Sequence, residues 1–307
     1  MKSAFQKISA PATKSLLIQI IGFSAVLTTL LTVTIGAFAY FLTAAVIKAD
    51  TRDKLAAIAL VKEDNLNRWV DEQKRNLVLI AALPGVREAA GLLVAPETNP
   101  LARQSAAQAL SAYFRTVVST TADSQEILLL DSNGTVLIAS MAEHIGLDQS
   151  QETYFQKGLT STDVTSFYTS ALLGAPTLTI STPLFDPSGQ RIGVLASHLS
   201  LAAVDRIIRE RNGLGESGEI YLVDAQRHLI TVDPLAGANK NLLRSAGIDA
   251  ALSKKNGSAL YNNYAGRPVV GAYQWIAERD VALLVEVSPL AHRSGDSQST
   301  CPVCEKS

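Results

Sequence analysis

Residues 15–47 contain no charged side chain, and this run constrains the chain more than any other feature. About 20 apolar residues cross the hydrocarbon core of a bilayer, so the run spans with length to spare. It is also longer than the apolar stretch of about 7–15 residues in a cleaved signal peptide. Ala37-Phe38-Ala39 has the small-residue pattern of a cleavage site, which keeps removal of the segment as the minority alternative. Lys2, Lys7 and Lys14 precede the run with no acidic residue among them, whereas Lys48, Asp50, Arg52 and Asp53 follow it as a mixed set. That lysine bias places residues 1–14 in the cytoplasm and everything after about residue 48 outside. The expectation is a single-pass, membrane-embedded protein of the inner (plasma) membrane with a periplasmic or extracellular ectodomain.

The rest of the composition excludes several function classes. A formal net charge of -1 supplies no basic field for nucleic acid. The two cysteines, Cys301 and Cys304, both lie at the extreme C-terminus, so the body needs no disulfide framework. His144, His198, His228 and His292 are scattered without the helical spacing of a zinc site, so no metal ligand set is assigned. There is no phosphate-cradling GxxxxGK[ST] loop and no GxSxG nucleophile elbow. No catalytic residue and no cofactor are therefore expected, and the chain does not read as an enzyme. Residues 291–307 are rich in Ser, Asp, Gln and Thr and read as a disordered tail. Cys301-Pro302-Val303-Cys304 could be half a zinc knuckle or a redox pair, but incidental cysteines in a tail are the simpler reading.

Beyond the membrane run, residues 48–82 have a helical pattern. Leu55, Ala59, Lys62, Leu66, Trp69, Gln73, Asn76 and Ile80 follow alternating steps of four and three. Lys62, Gln73 and Asn76 interrupt the apolar seam, which favours one amphipathic helix packed on its own domain over a dimer seam. Pro84-Gly85 ends this helix, and shorter helices are expected over 86–94 and 101–119.

Strands and tight turns then take over. Residues 126–130 and 135–140 flank Asp131-Ser132-Asn133-Gly134, a strong hairpin signal. Residues 178–184 and 191–199 flank Asp186-Pro187-Ser188-Gly189 as a second hairpin, and 201–211 reads as a helix closed by Asn212-Gly213. The plan repeats. Ile220-Tyr221-Leu222-Val223-Asp224 lines up with Ile127-Leu128-Leu129-Leu130-Asp131, each an apolar strand running into an Asp-led turn. Val281-Ala282-Leu283-Leu284-Val285 lines up with Ile192-Gly193-Val194-Leu195-Ala196, after which the serines Ser288 and Ser200 fall one step out of line. The fold class is α+β: a transmembrane helix continuing into a long helix, then two tandem antiparallel-sheet modules. The modules span about 120–212 and about 213–290.

Several of these segments together resemble the double Cache family of bacterial extracytoplasmic sensors. They are residues 127–140, Tyr154-Phe155-Gln156-Lys157-Gly158-Leu159, residues 177–201, and Gly218-Glu219-Ile220-Tyr221-Leu222-Val223-Asp224. The resemblance covers about residues 48–290 and implies two PAS-like modules, the membrane-distal one holding a small-molecule ligand. It implies candidate ligand-binding residues Tyr154, Phe155, Phe167, Tyr168, Thr179, Ser181, Ser197 and His198. For any single aromatic among them core packing is the more common role; the pocket reading rests on the cluster. Relatives that bind amino acids use an arginine before the aromatic pair and aspartates after the strand tyrosine and at the end of the central strand. Those positions hold Glu152, Ser170 and His198 here. Glu152 cannot grip a carboxylate and His198 cannot grip an ammonium, so ordinary α-amino acids are not expected to bind in that mode. His198 could instead meet an anion, titrate as a pH-sensitive element, or simply sit hydrogen-bonded and neutral at a strand end.

The leading function is the sensory part of a signal-transduction receptor of the chemoreceptor, sensor kinase or cyclase type, working as a homodimer. A membrane-anchored, non-signalling binding or scaffold protein is the alternative. A receptor of this plan is expected to continue beyond residue 290 into a second membrane helix and an output module. In their place stands the polar tail, which leaves a fragmentary product or a stand-alone sensor open.

Overall fold

The uncharged run is helical. A computed structural model describes residues 12–210, 214, 218–230 and 242–288, with side chains left undescribed over 12–20 and 40–49. Residues 1–11, the helix stop at Asn212-Gly213 and the tail with both cysteines lie outside the described residues. The chain divides into two compact units, Met1–Thr51 and Arg52–Ser307. The first helix, α1 (Ala12–Ala82), contains the candidate span Ile21–Ala39, with mean hydropathy 1.9 and no side chain buried. Its hydroxyls need no water. Thr28, Thr29, Thr32 and Thr34 each donate to a carbonyl one turn earlier, at 2.7–2.9 Å.

In the second unit, α1 buries one stripe against the sheets. Leu55, Ala59, Lys62, Leu66, Trp69 and Gln73 are buried as the spacing predicts, and the stripe then passes to Val70, Leu77 and Ala81 while Asn76 is exposed. The drift is geometric: a helix of 3.6 residues per turn rotates about 20° per heptad, so a seam counted in sevens leaves the core after two repeats. The two polar interruptions are satisfied. Lys62 Nζ donates to the Ile207 carbonyl at 2.7 Å and Gln73 Nε2 to Asp123 Oδ2 at 3.3 Å. Helices α2 (Pro84–Val94) and α3 (Pro100–Thr120) follow, each opened by a proline in its first turn, and Asn99 caps α3 by accepting from the Leu101 amide at 2.9 Å.

The first sheet runs β2-β1-β7-β6-β3, all antiparallel, from β1 (Ser124–Asp131), β2 (Val136–Ala139), β3 (Asp163–Val164), β6 (Thr179–Phe185) and β7 (Arg191–Leu199). A short 3-10 turn (Ala142–His144), helix α4 (Thr153–Gly158) and the ribbon of β4 (Tyr168–Thr169) with β5 (Pro176–Thr177) lie between β2 and β6 in the chain. Helix α5 (Leu201–Arg209) leads to the second sheet, ordered β8-β11-β10-β9, from β8 (Glu219–Asp224), β9 (Gly257–Asn262), β10 (Pro268–Ile276) and β11 (Val281–Val287), with α6 (Ala246–Leu252). Among the described residues the second sheet repeats the order of the first without a counterpart of β2.

The Asp-led turns explain the hairpins. Asp131 Oδ1 accepts from the Asn133 and Thr135 amides at 2.9 and 2.8 Å, and Asp224 Oδ1 accepts from the His228 amide at 2.7 Å. Gly134 takes φ +92° in the first turn; its counterpart Arg227 takes φ +72°, a conformation that glycine adopts freely and arginine does not. After the second turn the described part of the returning segment makes the bridge Val223↔Leu229, where the first builds β2.

Strand pairing corrects the sequence alignment of the repeats by one residue. Leu129 pairs with Leu195 in the first sheet, and its counterpart Leu222 pairs with Leu283 in the second. Leu283 therefore answers Leu195, not Val194, and Ser288 answers Ser200 with nothing out of step. The physical reason is side-chain alternation: a slip of one residue would move Leu283 from the core shared with α1 to the opposite face. Leu129, Leu195, Leu222 and Leu283 all belong to that one shared core.

Candidate functional site

Each strand alternates between two faces, so what one face contributes to the core the other offers elsewhere. The inner faces of both sheets join the α1 core. The outer face of the first sheet carries Leu128, Leu130, Val194 and Ala196 beneath Tyr154 and Phe155 of α4, with Tyr168 packed against them. Into this apolar bed one register row sets three polar side chains on adjacent strands. Glu126 of β1 faces His198 of β7, which faces Thr179 of β6. All three are fully buried.

The row is tied to the segments above it. Thr179 Oγ1 lies 2.7 Å from His198 Nδ1 and 2.8 Å from the Tyr168 hydroxyl. Glu126 Oε1 lies 2.7 Å from His144 Nδ1 on the 3-10 turn. The Tyr154 ring stands edge-on to the His198 ring with centroids 5.5 Å apart, and its hydroxyl donates to Gln149 Oε1 at 3.1 Å. Ser181 Oγ donates to the Tyr154 carbonyl at 2.7 Å, which pins α4 to the sheet. Two atoms in this cluster have no hydrogen-bond partner: Glu126 Oε2 and His198 Nε2. A buried polar atom without a partner costs free energy unless something supplies one.

Burial sets the protonation states. Loss of solvent lowers His198 from 6.5 to about 4, with His144 adding to the effect, so the imidazole is neutral at pH 7. Burial raises the Glu126 carboxyl, against the hydrogen bond from His144 that lowers it. Burial pushes Tyr168 up to about 12 and Tyr154 further still, so both phenols stay protonated. The cluster is thus a set of neutral donors and acceptors around one carboxyl.

Six of the eight residues singled out from sequence come together on this face: Tyr154, Phe155, Tyr168, Thr179, Ser181 and His198. Phe167 and Ser197 do not. Phe167 packs on the α1 core, and Ser197, adjacent to His198 in an alternating strand, points to the inner face and donates to Ser124 Oγ at 3.1 Å. There Ser197 lines a cavity of about 430 Å³ with Gln73, Leu77, Ile80, Tyr113 and Ser124. Of the positions that differ from amino-acid binders, Glu152 precedes α4 and Ser170 is buried, its Oγ accepting from the Leu173 amide at 3.3 Å. Glu126, His144 and Gln149 were missed. The available signal was Glu126 itself, a carboxylate opening an apolar run that a buried strand would fill with aliphatics. Among the described residues no group of three or more His, Cys, Asp or Glu is placed to hold a metal ion.

Comparison with known proteins places this geometry. The sequence profile of the Cache domain matches residues 43–289, most of the chain. No match was found among curated proteins. Similar solved structures include the ligand-binding domain of the Campylobacter jejuni chemoreceptor Tlp3 in complex with L-norvaline. It is 17% identical with TM-score 0.58, covering 84% of this chain and 96% of that one. The sensor domain of the V. cholerae histidine kinase DctB is 12% identical with TM-score 0.53, covering 76% and 98%. The ligand-binding domain of the Pseudomonas aeruginosa amino acid chemoreceptor PctC, in complex with GABA, is 16% identical with TM-score 0.52, covering 78% and 100%. At such identities the likeness is one of fold.

Proposed function

The chain belongs to the Cache domain family, and from that premise we propose that it is the extracytoplasmic ligand-sensing part of a membrane-bound signal-transduction receptor. Its ligand is a small molecule bound on the outer face of the first sheet, in the membrane-distal module. The observation that carries this reading is the pair of unpartnered, buried atoms, Glu126 Oε2 and His198 Nε2, on residues that face each other across β1 and β7 under an aromatic cover. A ligand presenting complementary hydrogen-bonding atoms to both would complete the cluster. The anchor is the span Ile21–Ala39, which supports a single-pass protein of the inner membrane with its sensor outside. The working form is a homodimer.

L-norvaline and GABA, held by two of the similar structures, are amine-bearing acids. This cluster is suited to a different ligand, because a neutral His198 and the half-buried Glu152 offer no guanidinium for a carboxylate. Binding would favour one position of α4 and β4 over the sheet. The same strands bear on α1 through their other face, so a shift at His198 is passed to Leu199 and thence to the helix that continues toward the membrane. Such a response requires different ligand affinity in the two positions.

The test is a thermal-shift and calorimetry screen of the full chain in detergent against amino acids, amines, carboxylates and nucleobases. At least one small molecule is expected to bind, with affinity reduced at least tenfold in both Glu126→Gln and His198→Gln. Hits that survive both substitutions would refute the site. A standard α-amino acid whose binding is lost in Tyr154→Ala would refute the ligand assignment.

A further inference from the structure

The second sheet carries its own polar row at the position that the first uses for its cluster. Glu219 of β8 faces Glu286 of β11, which faces Gly271 of β10, matching Glu126, His198 and Thr179 strand for strand. The chemistry differs at the centre: a second carboxylate stands where the first module has an imidazole. Gly271 is open for a reason. A Cβ there would lie 2.2 Å from the Tyr261 hydroxyl, so the phenol from β9 fills the place of the Thr179 side chain. Tyr261 and Tyr221 both donate to Glu286 Oε1 at 2.8 Å, and Tyr264 donates to Glu219 Oε1 at 2.6 Å. The Tyr221 and Tyr264 rings meet edge-on with centroids 5.3 Å apart.

Two observations show that this group is incomplete. Like charges directly opposite each other across a strand pair repel, and no Lys, Arg or His among the described residues makes an ion pair with Glu219 or Glu286. Glu286 is 1% exposed, and its Oε2 has no partner in good hydrogen-bonding geometry, although the Asn263 side chain is near enough to draw the carboxyl down. Phenol rings present a negative face to cations, and tyrosine with carboxylate is the chemistry that holds ammonium groups. A metal ion is a poorer fit, because among the described residues no group of three or more His, Cys, Asp or Glu is placed to hold one, and neutral phenols are weak metal ligands.

We propose that the outer face of the second sheet is a distinct binding site for a small organic ammonium ion, seated between Glu219 and Glu286 and walled by Tyr221, Tyr261 and Tyr264. Glu219 and Tyr264 are half-buried and form its mouth, and the cation supplies the partner that Glu286 Oε2 lacks. Burial raises the Glu286 carboxyl to about 7. A bound cation would draw it down and ionise it.

The probe is methylammonium chloride, titrated into the full chain in detergent at pH 8 against sodium chloride of equal ionic strength. Thermal unfolding reports binding. The midpoint is expected to rise by about 5 °C once methylammonium exceeds its Kd about a hundredfold. The response should weaken at least tenfold in Glu286→Gln, an isosteric change that keeps the tyrosine hydrogen bonds, and also in Glu219→Gln at the rim. The second variant carries the test if the first fails to fold. No rise beyond that in sodium chloride, a rise unchanged in these variants, or a rise lost instead in Glu126→Gln would overturn the proposal. A response to calcium without one to methylammonium would overturn it equally.

Discussion

Replacing Glu286 by glutamine should make this protein gain stability, relative to the wild type, as pH rises from 5 to 8. Burial raises the carboxyl from 4.5 to about 7, with the Tyr221 and Tyr261 hydroxyls holding it lower than burial alone would. Between pH 4.5 and 7 the folded chain therefore keeps a proton that the unfolded chain has released. The stability this provides is full below 4.5 and is lost as pH rises through 7. Between pH 5 and 8 the loss is about 2–3 kcal/mol. His198 works in the opposite sense. Its pKa falls from 6.5 to about 4, so its contribution is full above 6.5 and is lost as pH falls toward 4, about 2 kcal/mol between pH 8 and 5. Glu286→Gln removes the first contribution and leaves the second, so the variant should gain on the wild type by about 2–3 kcal/mol from pH 5 to pH 8. At about 2–4 °C per kcal/mol for a domain of this size, that is about 5–10 °C in the difference between midpoints. Thermal unfolding of both full-length proteins at pH 5 and pH 8, without added amine, measures it. A difference that stays within about 2 °C at the two pH values would refute the raised carboxyl and the reasoning from burial.

Two further predictions concern the frame that holds both sites. A Cβ at Gly193 would lie 2.0 Å from the Leu130 carbonyl oxygen across the β1–β7 pair, so Gly193→Ala should cost about 3 kcal/mol; a urea midpoint that moves by less than about 1 kcal/mol in free energy would contradict it. Leu66 is fully buried in the core shared by α1 and the sheets, so Leu66→Ala should cost about 2–5 kcal/mol with near-UV circular dichroism retained; a surface-like effect under 0.5 kcal/mol would mean that α1 does not pack as described.

The fold was legible wherever a local rule set it. The uncharged run, the Asp-led turns at Asp131 and Asp186 and the buried stripe of α1 from Leu55 to Gln73 are short-range patterns that appear where the sequence puts them, whereas beyond Gln73 the stripe drifts to Leu77 and Ala81. The register of the repeats was legible only to within one residue, because Val194 and Leu195 are both aliphatic and either can answer Leu283. Only the pairing partners, which lie far away in sequence, decide between them. The same limit explains the site. A strand pattern places His198 and Thr179 on neighbouring strands, where the register pairs them. Ser197 was taken with His198 although alternation sends it to the other face, and Glu126 was absorbed into an apolar run. Cross-strand neighbours are invisible until the sheet is assembled.

Once the sheets are superposed strand for strand, the two modules are one scaffold with different centres. In the first, the row reads carboxylate, imidazole, hydroxyl; in the second it reads carboxylate, carboxylate, glycine, with the Tyr261 phenol restoring the hydroxyl. The hydroxyl oxygen contacts the central residue in both: Thr179 Oγ1 at 2.7 Å from His198 Nδ1, Tyr261 at 2.8 Å from Glu286 Oε1. What changes is the charge at the middle strand, and with it the charge of the partner that each cluster lacks. A neutral imidazole asks for a hydrogen-bonding ligand, whereas a carboxylate opposite a carboxylate asks for a cation or a proton. On the two proposals above, the shared scaffold sets where ligands sit and three side chains per module set what they are. That is why a likeness of 12–17% identity reports the fold and not the ligand.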